Sequence, residues 1–169
     1  KITIDNTVFT DWDDMDDNEI LNLLINCKKD NILPYNFNKK DIHKYLDCGF
    51  HESTKIDLED GRSVSIKDIE VNDILRFGEK VTGIVKIDAT KIEGVYEYYL
   101  YNDLILQCSK NIEFNTLVGN IDTTNLEGNK ISNVKTLYHI LTDKKSFYIK
   151  GIRINDYYNN VIEKYLHLN

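Results

Sequence analysis

Three thiols and four imidazoles are the side chains of this 169-residue chain best suited to nucleophilic or proton-transfer chemistry. Cys27, Cys48 and Cys108 have no C-x-x-C spacing and cannot all pair, so neither a disulfide framework nor a zinc site is supported, and no metal or cofactor is expected. A cysteine on a half-apolar segment is commonly a small packed hydrophobe; as a thiolate it attacks carbonyl carbon. Cys27 falls on the apolar side of residues 19–29 and reads as packing, while Cys48 and Cys108 keep both readings. His51 follows Phe50 in a segment that reads as a loop, and His139 lies beside Tyr138 in an alternating stretch and reads as half-buried. His43 and His167 fall in helical segments and carry no signal. No Cys–His pair with an orienting Asn or Asp can be placed, which argues against a cysteine protease acting on other chains. The acidic residues Asp11, Asp13, Asp14, Asp16 and Asp17 lack the Gly and closing Glu of a calcium loop and read as a solvated, helix-capping face.

The elements that must position these groups differ along the chain. Residues 1–10 alternate (Ile2, Ile4, Val8) and read as a short strand or extended arm. Residues 19–29 carry acids in front and lysines behind an apolar run, a polarity that suits the helix macrodipole, and a second helix is expected over 39–46 beyond a turn at Pro34. The apolar face of the first helix predicts that Leu21, Leu24 and Ile25 are buried against the rest of the protein. From Cys48 onward, Ser63–Ile66, Lys80–Ile87, Gly94–Tyr101, Leu104–Leu106 and Ser146–Ile154 are rich in β-branched and aromatic residues between short polar turns. Residues 115–134 read as a long surface loop, and 159–166 as a closing helix.

Composition limits the partners. With 21 basic against 28 acidic residues the chain carries a net charge of -7, which disfavours a nucleic-acid surface and an acidic membrane surface. No apolar run approaches the roughly 20 residues of a spanning helix, and no signal peptide is recognisable. A soluble protein in a reducing, intracellular setting is expected. Abundant Asn, Lys, Ile, Asp and Tyr with a single Pro is the usage of an AT-rich genome such as that of a protist, a low-GC bacterium or a giant virus. The chain begins at Lys1 rather than Met and reads as a fragment or processed product.

Several compatible pieces follow one another in order. The run Cys48-Gly49-Phe50-His51-Glu52-Ser53-Thr54-Lys55-Ile56 leads to the hairpin signal Asp60-Gly61 and to an alternating stretch, Ile66 to Leu75, that reads as a strand ending in a polar turn. Cys108-Ser109-Lys110-Asn111 follows a strand, and Tyr138-His139-Ile140-Leu141-Thr142-Asp143 precedes Gly151-Ile152-Arg153-Ile154-Asn155-Asp156. This order resembles the Hint domains of hedgehog proteins and inteins.

The resemblance implies a mostly β fold: a curved Hint-like β domain over residues 48–157, an N-terminal strand and helical appendage over 1–47, and a C-terminal helix over 158–169. It implies a self-directed reaction, in which the first Cys attacks the carbonyl before it and exchanges an amide for a thioester, so that the chain's own polypeptide is the substrate. Cys48 is then the nucleophile and Asp47-Cys48 the bond broken. Thr54 stands seven residues in, the hedgehog spacing; the intein spacing of six would place Gly49 first, and both registers stay open. Asn111 stands where the family's Thr-x-x-His motif has its proton-donating His, with Cys108 in the place of the Thr; an Asn can donate a hydrogen bond but cannot shuttle a proton. Asn155-Asp156 stands in place of the closing His-Asn pair, so splicing is not expected. Cys48, Asn111 and Asp156 are the expected catalytic positions, lined by Gly49, Thr54, Cys108, His139 and Asn155. A second expectation is a catalytically inactive Hint fold serving as a structural or protein-interaction module in a viral or mobile-element protein.

Overall fold

The computed structural model describes the backbone of residues 2–4, 7–9, 48–100 and 103–163, and the side chains of 48–90, 92–100 and 103–160. The helices expected over 19–29 and 39–46, with Leu21, Leu24 and Ile25, lie outside the described residues.

The alternation that marked the sequence is what builds the sheets. In chain order the strands are β1 (Ile2–Ile4), β2 (Thr7–Phe9), β3 (Phe50–His51), β4 (Lys55–Asp57), β5 (Ser63–Ser65), β6 (Val81–Asp88) and β7 (Val95–Tyr99). They continue with β8 (Ile105–Ser109), β9 (Glu113–Thr116), β10 (Gly119–Asp122), β11 (Asn129–Ile131), β12 (Thr136–Thr142), β13 (Ser146–Ile149) and β14 (Ile152–Asn155). Among the described residues, eight strands make one sheet in the order β11-β7-β8-β3-β12-β6-β1-β2, four make a second in the order β10-β9-β14-β13, and β4 pairs with β5. In β6, Val81, Gly83, Val85 and Ile87 are buried while the residues between them are half-buried or exposed, so the period-two pattern fixes which face meets the main core. Its partner β12 runs antiparallel to it from Thr136↔Asp88 to Thr142↔Val81, with a bulge between Leu141 and Thr142. The short β3 lies between β8 and β12, which places the residues just before it in the middle of the larger sheet.

One buried cluster joins the sheets: Phe50 of β3, Phe114 of β9, Phe147 of β13 and Ile154 of β14 all belong to it, and the Phe50 and Phe147 rings meet edge to face at 6.1 Å. Burying each such side chain contributes about 1.5–3 kcal/mol. Among the described residues no helix is long and apolar enough to cross a membrane.

The structure corrects three expectations. Residues 115–134 are not a long loop: β9 and β10 form a hairpin with Leu117 and Val118 at its tip, and β11 adds to β7. The strands were hidden because only Phe114 and Ile121 supply an apolar face to that hairpin, too few to show periodicity. Ile66 to Leu75 is not a strand. It opens with a 3₁₀ turn, Ile66–Asp68, which buries both Ile66 and Ile69 three residues apart, and only Ile74 and Leu75 make isolated bridges. The run from Ser146 to Ile154 is two strands joined at Lys150-Gly151, whose φ angles of 46° and 82° are those a two-residue type I′ hairpin demands. The closing helix begins as a π-helical turn over Tyr158–Glu163, and 164–166 lie outside the described residues.

Candidate functional site

Cys48 is fully buried two residues before β3 begins at Phe50. Gly49, between them, is clamped by Ser109 at the end of β8: its N–H donates to the Ser109 hydroxyl at 2.9 Å and its carbonyl accepts from Ser109 N–H at 3.0 Å. On the other side β12 passes so closely that a Cβ at position 49 would lie 3.0 Å from Leu137 Cβ and 3.1 Å from the Tyr138 carbonyl oxygen. Glycine suits this close approach, and the thiol at the head of β3 is that of Cys48.

The closing segment supplies the group that meets this thiol. Asp156 follows β14, and its carboxylate accepts from Asn159 N–H at 2.8 Å, three residues on, as an N-cap does. Its other oxygen accepts from Thr142 N–H at 2.9 Å, beside the β12 bulge. The turn started this way brings Asn160 N–H to the Asp156 carbonyl at 2.8 Å and swings the Asn160 carboxamide inward. There Nδ2 donates to Cys48 Sγ at 3.2 Å and to the Asn111 carbonyl at 2.6 Å, while Oδ1 accepts from Glu113 N–H at 2.8 Å.

No protein-family model matches the chain, and no curated protein matches it. Solved structures do. The gp41-1 intein superposes with a TM-score of 0.53 at 17% identity, covering 64% of this chain and 98% of that one. A bacterial intein-like domain from Clostridium thermocellum gives 0.52 at 12% identity, covering 64% and 98%. A DnaB intein from Synechocystis gives 0.51 at 16% identity with the same coverage. The fold is of the Hint type.

Within this Hint fold the expected positions fall into three groups. Cys48, Cys108 and the Asn111 carbonyl lie together, and Asp156 is tied to them through the turn that carries Asn160. Cys108 is paired with Phe50 across β8 and β3, and burial, then the neighbouring Cys48 thiol, push its thiol well above the ordinary range, so it stays protonated. Neither thiol is in a disulfide. Asn111 sits at φ 68° where the chain leaves β8 for β9, and it enters the site through its main-chain carbonyl, its side-chain oxygen accepting from the Thr124 hydroxyl at 2.7 Å. Asp156 is fully buried; burial pushes its carboxyl up to about 6 against the pull of the Thr142 and Asn159 N–H groups.

His139 and Asn155 form the second group, close to this cluster but differently engaged. His139 is fully buried rather than half-buried, because β12 turns that face toward Phe50, Phe147 and Tyr157, whose ring centroids lie 5.2, 5.9 and 5.5 Å from its own. Burial drives its pKa down to about 3, and the Ile140 N–H donating to Nδ1 at 2.9 Å occupies a lone pair that only the neutral ring offers. The ring is neutral at neutral pH. Asn155 is buried and accepts from Asn159 Nδ2 at 3.1 Å. Thr54 stands apart: its N–H donates to the His51 carbonyl and its carbonyl accepts from Ile66 N–H, which starts the β4–β5 hairpin. His51 belongs to β3, not to a loop, with Nδ1 2.7 Å from the Ser53 hydroxyl.

Two contributors escaped the sequence. Ser109, not Cys108, supplies the hydroxyl at the Gly49 amide; counting a Thr-x-x-His pattern from a hydroxyl-bearing residue would have found it and would put Ile112 in the fourth place. Ile112 is fully buried and its N–H donates to the Thr123 hydroxyl at 3.0 Å, so neither register offers an imidazole. Asn160 carries no sequence signal of its own. Its place follows only once Asp156 is recognised as a cap.

Proposed function

We propose that the domain is a Hint-type autoprocessing unit whose reactive group is Cys48 and whose target is the Asp47-Cys48 bond. The Cys48 sulfur attacks the Asp47 carbonyl carbon, an S–C bond forms, the C–N bond breaks, and the thiol proton is transferred to the departing amine of Cys48, leaving a thioester. The reading rests on one observation: the thiol at the head of β3 is buried among hydrogen-bonding groups, with the Asn160 carboxamide on its sulfur. The step is slow. An amide nitrogen leaves poorly until protonated, and general acid catalysis typically contributes about 10²- to 10⁴-fold. His139 is neutral at neutral pH, the Asn111 side chain has no proton to shuttle, and both oxygens of Asp156 already accept main-chain N–H groups. Splicing is lost, since Asp156 caps the closing turn rather than standing poised on its own carbonyl.

Denaturing intact-mass measurements on the chain with its native flanks are the test. The chain is expected to stay whole for hours at neutral pH, to undergo slow scission at Asp47-Cys48 with a strong thiol or hydroxylamine, and to cleave faster as Asn111→His. Rapid scission that persists in Cys48→Ala would refute this assignment. A second reading, a non-catalytic interaction module, is favoured by the engagement of the Asn111 side chain with Thr124. It prevails if no condition, including Asn111→His, yields scission.

A further inference from the structure

We propose that Asn160, beyond the Hint-like region of the sequence, is the positioning residue that aims the Cys48 thiol and favours its ionised form. The inference rests on the reading of Cys48 as the reactive group. The orientation of the Asn160 amide is dictated by its neighbours: the Glu113 N–H is a donor and can only face Oδ1, and the Asn111 carbonyl is an acceptor and can only face Nδ2. Both ends are therefore committed, and the second N–H of Nδ2 is left pointing at Cys48 Sγ. A thiol sulfur is a weak acceptor and a thiolate a strong one, so a fixed donor lowers the free energy of the charged form far more than that of the neutral one. Asn160 is itself almost wholly buried, so solvent competes little for that N–H.

Every polar atom of the Asn160 side chain is thus used, each contact on a different segment: β9 through Glu113, the turn after β8 through Asn111, and the approach to β3 through Cys48. The carboxamide behaves as a three-way gauge. The sulfur is aimed only when the capping turn built on Asp156 is in place, which makes the stretch after the domain's last strand a part of the nucleophile's environment.

The test reads the thiolate directly and does not need scission. Ultraviolet thiolate absorbance is followed against pH for the full chain, for Asn160→Leu and for the isosteric Asn160→Asp, each corrected by the same chain carrying Cys48→Ala. Asn160→Leu is expected to raise the Cys48 midpoint by about one pH unit or more, the change equivalent to losing one hydrogen bond to a charged group, and Asn160→Asp to raise it further, because its carboxylate also sets a like charge beside the sulfur. Cys108 on β8, Lys110 after it, Glu113 on β9, Asp122 on β10, His139 on β12 and Asp156 after β14 are common to all variants, so a change between them belongs to position 160. If Asn160→Leu does not fold, Asn160→Asp decides alone, since it preserves the acceptor facing Glu113 N–H. An unchanged midpoint in a folded Asn160→Asp overturns the proposal. A raised midpoint in a chain that never cleaves would sink the autoprocessing reading and leave this one standing; an unchanged midpoint in a chain that cleaves would do the reverse.

Discussion

His139 and Asp156 are both fully buried and both shifted mainly by that burial, yet they respond to acid in opposite directions. His139 lies in an aromatic cage of Phe50, Phe147 and Tyr157, where nothing favours an added charge, and it stays neutral down to about pH 3. Asp156 lies in a cradle of main-chain N–H groups, which partly offsets its desolvation and leaves it ionised above about pH 6. The unfolded chain binds a proton on His near pH 6.5 that the folded chain refuses, so this group's contribution to stability is lost as the pH falls from 6.5 toward 3. For Asp156 the folded chain holds the proton longer, so its contribution is present below about pH 4 and is lost as the pH rises through about 6. Burial alone therefore does not set the sign of a pH response; the charge type does, and the surrounding dipoles set its size.

The comparison can be broken at either end. His139→Phe keeps the cage and removes the titration; relative to the parent it is expected to gain stability progressively on acidification, approaching about 5 kcal/mol between pH 6.5 and 3 at about 1.4 kcal/mol for each pH unit crossed. Urea midpoints over a pH series read this directly, and parallel profiles for the two chains would mean that His139 is not held neutral. Asp156→Asn is expected to remove a smaller opposing slope, about 3 kcal/mol between pH 4 and 6, so that acid then destabilises the variant more steeply than the parent. A constant offset with no change in slope would show that only the N-cap was lost. Smallest and independent of pH is Ser109→Ala, which leaves the Gly49 N–H without its acceptor and is expected to cost about 1–3 kcal/mol, against less than about 0.5 for the exposed Thr124→Ala. Equal effects in the two alanine variants would argue that the Gly49 clamp carries no weight.

What the sequence revealed and what it withheld divide along physical lines. Strands such as β6 were legible because one face is buried, which writes a period of two into Val81, Val85 and Ile87. The Asp60-Gly61 hairpin was legible because Gly61 must take a positive φ. Cys48 and Asp156 were legible as positions in an ordered set of motifs. The capping by Asp156 was not: a carboxylate that caps a turn has the same letter as any other, and only the N–H groups of Thr142 and Asn159 reveal it. Ser109 and Asn160 act through single hydrogen bonds across segments far apart in the chain, and such contacts impose no periodicity on the residues around them. The β9–β10 hairpin was missed for the related reason that a short strand with one buried side chain repeats nothing.

The pairing of β1 with β6, Ile2↔Val85 through Ile4↔Gly83, has a bearing on any cut at Asp47-Cys48. The residues upstream of that bond include two strands of the larger sheet, held by a ladder of main-chain hydrogen bonds that does not depend on the chain being continuous at position 47. Scission would therefore produce a nicked complex rather than two departing products, and it would be silent in size exclusion or any native measurement. By the same logic, the two pieces supplied separately, 1–47 and 48–169, are a candidate pair for fragment complementation, with the first piece returning as a hairpin to the exposed edge of β6.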